Sequence, residues 1–210
     1  MDNKSHSDTK TKLILTAGKL FAQEGFEATS VRTISEKAKV NISAINYHFG
    51  SKENLYMEVI KYIIAKNSKV RPSSLLKENS LLKNKEEISK IIKLIIEDKF
   101  SSLLSLSEPA WFQKLMIRTI TETPSAHKIL TKEVFKPELD ALKNIIQKAK
   151  PDMSDFETAF VITSIHAHLV FLLTCQTIIL TTFNIKKYDK KFIQQIIKQV
   201  TKLIFSTLEL

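Results

Sequence analysis

The chain has 210 residues, enough to bury a core either as one large domain or as a small domain joined to a larger one. Three glycines and five prolines against abundant Ile, Leu, Lys and Glu disfavour strands joined by tight turns, so the composition predicts an all-α protein. A net charge of +10 invites a polyanion partner, and the lone cysteine, Cys175, excludes an intramolecular disulfide and a multi-cysteine zinc site.

The polar start, MDNKSHSDTKTK, lacks the apolar core of a signal peptide, and with the single cysteine it predicts a reducing, cytoplasmic setting. From Thr9 onward, Leu13, Ile14, Ala17, Leu20 and Phe21 recur at three and four, the period of an amphipathic helix, and Gly25 supplies its stop. Thr29 or Ser30 is placed to cap a second helix with Val31, Ile34 and Ala38 inward, and a third helix runs from about Ile42 to Phe49. Charge does not mark this region as a polyanion site. Met1 to Ile60 carries eight basic and seven acidic residues, so +9 of the +10 lies elsewhere, mostly on solvated lysine faces.

Ser51 caps a fourth helix carrying Leu55, Val59, Tyr62 and Ile63 to about Ser68, and RPSSLLKENS interrupts it as the expected domain boundary. Asn84 and Glu87 have capping-box spacing and open a helix with Ile88, Ile91, Ile92, Ile95 and Phe100 inward. Further helices are expected near Pro109 and Pro124, with a kink or break at Pro137. Ser154 and Glu157 repeat the capping-box spacing before a segment with no charge between Thr158 and Ile185. The last helix aligns Phe192, Ile193, Ile196, Ile197, Val200, Leu203 and Ile204 at helical spacing.

Three helices, the second and third short and joined by the AKVN turn from Ala38 to Asn41, are what a helix-turn-helix needs to hold one helix in the major groove. Ala38 allows close helix approach, Val40 plugs the gap, and Asn41 can cap the third helix. The stretch LFAQEGFEATSVRTISEKAKVNISAINYHFGSKENLY resembles, without a gap, the N-terminal DNA-binding domain of the tetracycline-repressor (TetR) family, over about Thr11 to Tyr62. The ending NYHFGSKE is similar to one branch of that family, with a fainter echo in TPSAHKIL and FKPELDAL. One position departs from the family. Lys39 stands where glycine is usual and where the turn can demand a positive φ, at roughly 1–2 kcal/mol for an L-residue.

The resemblance implies an N-terminal helix-turn-helix domain over 1–50, a connecting helix at about 51–69, and an effector-binding and dimerisation domain over 70–210. It implies a homodimeric transcriptional repressor, with activation the open alternative, acting on a palindromic double-stranded DNA operator and released by an unidentified small molecule, with no cofactor and no catalytic role. Base edges would meet Ser43 and Ala44, the latter against a thymine methyl, and Asn46 would pair with adenine or hold a phosphate. Tyr47 offers a ring and a hydroxyl, while His48 and Lys52 match positions that grip backbone phosphates; Thr29, Ser30 and Arg32 would hold the neighbouring backbone, helped by Lys10 and Lys12.

The effector pocket is expected among Trp111, Phe112, Met116, His127, Phe135, His166, Phe171 and Cys175, residues that core packing would also explain. The dimer face is expected at Phe192, Ile193, Ile196, Ile197, Val200, Leu203 and Ile204. The charge-free segment is long enough to cross a bilayer, but its polar residues, from Ser164 to Thr182, are costly in lipid, and burial in a helical domain explains them without a membrane. His166 and His168 diverge on a helix and do not share a metal-binding face. Two rivals stand beside this reading: a membrane-anchored regulator carrying the same DNA-binding head, and a helical enzyme using His48 or the His166 region as acid or base, which lacks a nearby nucleophile, a paired carboxylate, a phosphate-cradling loop and metal spacing.

Overall fold

In the computed structural model the described residues are 2–67, 70–78, 82, 84–104, 109–122 and 127–210, and of residues 2–7, 67 and 76–78 only the backbone is considered. Among the described residues the ordered elements are all helical. The chain forms two compact units: Met1–Lys66 with Glu108–Val134, and Asn67–Ser107 with Phe135–Leu210. The units are therefore discontinuous in sequence, where the sequence reading drew one boundary near residue 70.

The first unit contains α1 (Asp2–Glu24), α2 (Val31–Ala38), α3 (Ser43–Phe49), α4 (Lys52–Asn67), α7 (Ala110–Thr121) and α8 (His127–Leu130). The stripe predicted on α1 is inward: Leu13, Ala17 and Phe21 are fully buried with Ile34, Ala38, Ile45, Leu55 and Val59. Tyr56 meets Phe21 and Phe26 edge to face, its ring centroid 5.0 and 4.9 Å from theirs. α7 lies along α1 because Gly18 leaves room for the Trp111 ring, whose atoms stand 2.3 and 2.5 Å from where a Cβ would be. Thr119 donates to Leu115 O at 2.8 Å, so the buried Tyr56 hydroxyl, 2.8 Å from Thr119 Oγ1, is the donor in that pair. Arg118 closes the end of α1, donating to Gln23 O at 3.3 Å and pairing with Glu122 at 2.8 Å.

The second unit contains α5 (Pro72–Glu78), α6 (Lys85–Leu104), α9 (Lys136–Ala149), α10 (Asp155–Thr174), α11 (Gln176–Thr182) and α12 (Lys190–Leu208). Its core joins Ile92, Ile95, Ile96 and Phe100 of α6 to Leu142, Ile145 and Ile146 of α9, Val161, Ile165 and Leu169 of α10, and Ile193, Ile197, Val200 and Ile204 of α12. Local sequence set its helix starts. Asn84 Oδ1 accepts from Glu87 N at 2.8 Å, Ser154 and Glu157 form a full capping box, and Asp189 caps α12 through Phe192 N at 2.8 Å.

Three expectations change. The segment beginning at Arg71 carries a short helix of its own, α5, with Pro72 in its first position, where the missing donor costs nothing. The expected start at Pro124 lies outside the described residues. The break at Pro137 takes the form of a π turn, Thr131–Phe135, after which α9 begins with the proline in its first turn. The charge-free segment breaks at Cys175 into α10 and α11. α10 is the one helix among the described residues that is long and apolar enough to cross a membrane, yet Thr158, Val161, Ile165, Leu169 and Leu172 are buried within its unit.

Candidate nucleic-acid interface

The turn between α2 and α3 carries the strain read from the sequence. Lys39 caps α2 in the left-handed region, φ 53° and ψ 49°, with its N–H donating to Ser35 and Glu36 carbonyls. Asn41 Oδ1 then accepts from Ser43 N at 2.9 Å and from Ser43 Oγ at 2.8 Å, fixing the first turn of α3. Ile45 and Phe49 anchor the other side of α3 in the core. What remains outward is Ser43, Asn46 and Tyr47, the last 74% exposed despite its ring, with Ala44 and His48 half-buried beside them. The Tyr47 and His48 rings meet edge-on at 5.1 Å, which restrains both.

Gly50 ends α3 at φ 76°, a conformation that favours glycine, and α4 starts at once with Ser51 Oγ accepting from Asn54 N at 3.1 Å. Asn54 Nδ2 donates back to Phe49 O at 2.9 Å, tying the two helices together. On α2, Ser30 caps the helix by accepting from Thr33 N at 3.0 Å and stays exposed. Arg32 is exposed and paired with Glu36 at 2.9 Å, a contact of about 0–1 kcal/mol in water that a phosphate can replace.

Two residues expected on this surface are turned inward. Thr29 is fully buried, its hydroxyl donating to Gly25 O at 2.7 Å to close the chain after α1. Lys52 is half-buried: its ammonium donates to Phe26 O at 3.0 Å and Thr29 O at 3.2 Å and lies 4.3 Å from the Phe26 ring centroid. Those carbonyls lie in the loop between α1 and α2 and need a donor, so Lys52 holds the loop that supports α2. Of the arm residues, Lys10 lies 3.6 Å from Glu58 and over the Phe49 ring at 5.9 Å.

The residues expected in an effector pocket do not share one unit. Trp111, Phe112, Met116 and His127 belong to the first, where Trp111 covers Gly18 and Phe112 and Met116 are buried. Phe135, His166, Phe171 and Cys175 belong to the second, with Phe171 58% exposed on the outside of α10. On α12 the apolar stripe is wider than one face. Ile193, Ile197, Val200 and Ile204 fill their own chain's core, which removes them from an exposed dimer face; Ile196 and Phe192 are half-buried and Leu203 is exposed. A groove lined by Ala167, His168, Phe171, Leu172, Ile196, Gln199, Val200 and Leu203 runs between α10 and α12, and Phe156 and Phe160 project farther along α10 at 80% and 61% exposure. The sequence reading missed those two phenylalanines because the helix is apolar on nearly every side and offers no period to sort them.

A short two-helix motif with a polar, solvent-facing second helix on a buried three-helix base defines a helix-turn-helix DNA-binding regulator. Residues 13–59 match the bacterial regulatory proteins of the tetR family, and residues 88–209 match the C-terminal domain of the HTH-type transcriptional dual regulator CecR. The second match covers more than half of the chain, which therefore belongs to the TetR-type transcriptional regulators with a CecR-type C-terminal domain; these proteins are not enzymes. The HTH-type transcriptional repressor NicS of Pseudomonas putida is 40% identical over 57 residues, 27% of this chain and 27% of NicS. CecR of Shigella flexneri is 28% identical over 131 residues, 61% of this chain and 58% of CecR. The matched region thus spans about a quarter of NicS and less than two thirds of CecR. In fold, the crystal structure of NalD, the secondary repressor of the MexAB-OprM multidrug efflux pump in Pseudomonas aeruginosa, superposes with a TM-score of 0.69 at 14% identity, over 96% of each chain.

Proposed function

We propose that this regulator is a homodimeric repressor that binds a palindromic operator through α3 and is released by a small molecule held in its C-terminal part. The observation that carries the reading is the outward edge of α3: Ser43, Asn46 and Tyr47 face solvent while Ile45 and Phe49 lock the helix from behind. Asn46 supplies the paired donor and acceptor that match adenine, Ala44 a methyl-sized contact for thymine, and Tyr47 and Ser30 hydroxyls for phosphate. Arg32 exchanges Glu36 for a phosphate, and His48 supports Tyr47. Thr29 and Lys52 serve from behind, holding the loop that positions α2.

The second copy covers the outer row of α10 and α12. Phe156 and Phe160 line one groove beside α10, and Phe171 and Leu203 line a second between α10 and α12; all four are large exposed apolar side chains, and apolar surface of this kind marks an association site. A two-fold pairing there makes a four-helix bundle, and reading a palindromic operator requires the two α3 helices to lie roughly 34–36 Å apart, one helical turn of DNA. An effector that changes this spacing lowers operator affinity, with coupling of about 1–3 kcal/mol. The name of NicS supports repression, that of CecR both directions. The NYHFGSKE ending and the CecR-type C-terminal match support the branch read from the sequence. A cytoplasmic location without membrane attachment belongs to this reading.

The test is binding of the full chain to DNA flanking its own gene, followed by fluorescence anisotropy. Asn46→Ala and Tyr47→Ala each weaken specific binding by about 1–3 kcal/mol, with unfolding midpoints unchanged. Phe171→Glu sediments as a monomer and loses cooperative binding. Wild-type affinity in both α3 variants, or a dimeric Phe171→Glu protein, refutes the assignment.

A further inference from the structure

The outward side chains of α3 differ in which base pairs they can read, and one of them has no role so far. In the described stretch Val31 to Phe49, which holds α2, the turn and α3, the exposed large hydrophobic side chains are Tyr47 at 74% and Ile42 at 44%. Tyr47 is placed against phosphate, whereas Ile42 is unassigned. Its backbone is already helical, φ −58° and ψ −30°, and its carbonyl accepts from Ile45 N at 3.1 Å, so it belongs to the first turn of α3. Ile45 and Phe49 make the core contact of this helix, which leaves the Ile42 side chain beside Ser43 on the open side. Residues in this part of a recognition helix are the ones that meet base edges.

In the major groove, guanine is read by Arg or Lys on O6 and N7, and cytosine by Asp or Glu on its N4 amine. Adenine is read by the Asn or Gln amide on N6 and N7, and thymine by apolar contact with its C5 methyl. No residue from Val40 to Phe49 is Arg, Lys, Asp, Glu or Gln. The cations nearby are placed elsewhere: Arg32 lies on α2 and is held by Glu36 at 2.9 Å, Lys39 belongs to the turn that closes α2, and Lys52 donates inward to Phe26 O and Thr29 O. Asn41 Oδ1 accepts from both Ser43 N and Ser43 Oγ, which uses the one hydroxyl proton of Ser43. Ser43 can then only accept, from the adenine N6 or the cytosine N4 amine alike, and does not discriminate. The side chains of α3 that do discriminate are the exposed Asn46 amide, the Ala44 methyl and Ile42, with Asn46 one turn from Ile42 on the same face.

We propose that the base pairs under α3 are A·T pairs, and that Ile42 is a specificity-determining residue that packs on a thymine C5 methyl while Asn46 pairs with adenine N6 and N7. This rests on the operator reading proposed above, in which α3 enters the major groove. An A·T pair shows the methyl and the adenine edge together, so one pair or two neighbouring pairs satisfy Ile42 and Asn46 at once. A G·C pair satisfies neither. Cytosine lacks the methyl, and guanine carries O6 where adenine has its N6 amine, which leaves the Asn46 carbonyl oxygen without a donor. Covering one methyl with an aliphatic side chain strengthens binding about four-fold, and the two half-sites of a dimer multiply this to about sixteen-fold.

The experiment selects bound sequences from a randomised duplex library with the full-length protein. Binding is then measured to the recovered site and to the same site with its half-site thymines replaced by deoxyuridine, which removes the methyl alone. Selection converges on a dyad whose half-site centres are A·T pairs. Deoxyuridine weakens wild-type binding about ten-fold or more, and weakens binding of Ile42→Ala by no more than about two-fold, because the variant has lost the side chain that covers the methyl. Each protein is compared with itself on two duplexes, so any change in the stability of the variant cancels. The proposal is overturned by half-site centres of G·C pairs, by a deoxyuridine site bound as tightly as the thymine site, or by an equal deoxyuridine loss in wild type and Ile42→Ala. Where one of these occurs on a dyadic site that Asn46→Ala and Tyr47→Ala still fail to hold, the operator reading stands without it. A library that yields no convergent site overturns both.

Discussion

Lys52→Met separates the two roles of a lysine at the start of α4. In the wild type its ammonium donates to Phe26 O and Thr29 O at 3.0 and 3.2 Å and stands over the Phe26 ring at 4.3 Å. A charge-assisted hydrogen bond contributes about 1.5–3 kcal/mol, and a half-exposed cation–π contact about 0.5–1. These overlap, and both carbonyls are only partly buried, so the loss comes to about 2 kcal/mol. With a urea m-value of about 2 kcal/mol/M, the unfolding midpoint falls by about 1 M. Trp111, the chain's single tryptophan, belongs to the same unit, so its emission follows that unit directly. A phosphate-gripping lysine behaves in the opposite way: stability is untouched, operator affinity drops uniformly across sequences, and the salt slope falls by about 1 per protomer. An unchanged midpoint together with a reduced salt slope refutes the structural role assigned to Lys52.

Gly18→Ala forces the Trp111 ring from its seat, since a Cβ would stand 2.3 Å from it. The roughly 1 kcal/mol gain in helix propensity is outweighed by about 1–3 kcal/mol of overpacking, so the unit loses stability and Trp111 emission shifts; a more stable variant contradicts the packing. Lys39→Gly relieves about 1–2 kcal/mol of left-handed strain against about 0.4–1 of added unfolded-state entropy. The expected net is a stabilisation of about 0.5–1 kcal/mol, read from the urea midpoint, and destabilisation refutes it. His166, held below 6.5 in the fold, makes the unfolded state bind the proton first. Stability therefore falls as pH drops through 6.5 towards the folded-state value and levels off below it. His166→Gln flattens this part of the pH–stability curve, and an unchanged curve removes His166 as its source.

Features decided by neighbours in sequence were legible. The strain at Lys39, the Asn41 cap, the ends at Gly25 and Gly50, and the Ser154–Glu157 capping box all follow from a few adjacent residues and recur in the structure. Features decided by distant partners were not. Lys52 reads as a surface lysine until Phe26 O and Thr29 O, 26 and 23 residues away, are brought beside it. Gly18 and Trp111 carry no mutual signal, so the return of α7 to the first unit was hidden behind a boundary near residue 70. On α12 the 3.6-residue period identified the apolar stripe correctly but not what covers it. The stripe is wide enough that Ile193, Ile197, Val200 and Ile204 close their own core while Ile196 and Leu203 face outward.

The most direct test of the central claim is a hydroxyl-radical footprint of the full-length protein on the DNA flanking its own gene, repeated with Asn46→Ala and Tyr47→Ala. The account predicts two protected half-sites related by a dyad, with centres about one helical turn apart, roughly 34–36 Å, and protection that fades in both variants while their folds persist. Protection without a dyad, or a footprint that survives both substitutions unchanged, contradicts the placement of α3 in the major groove.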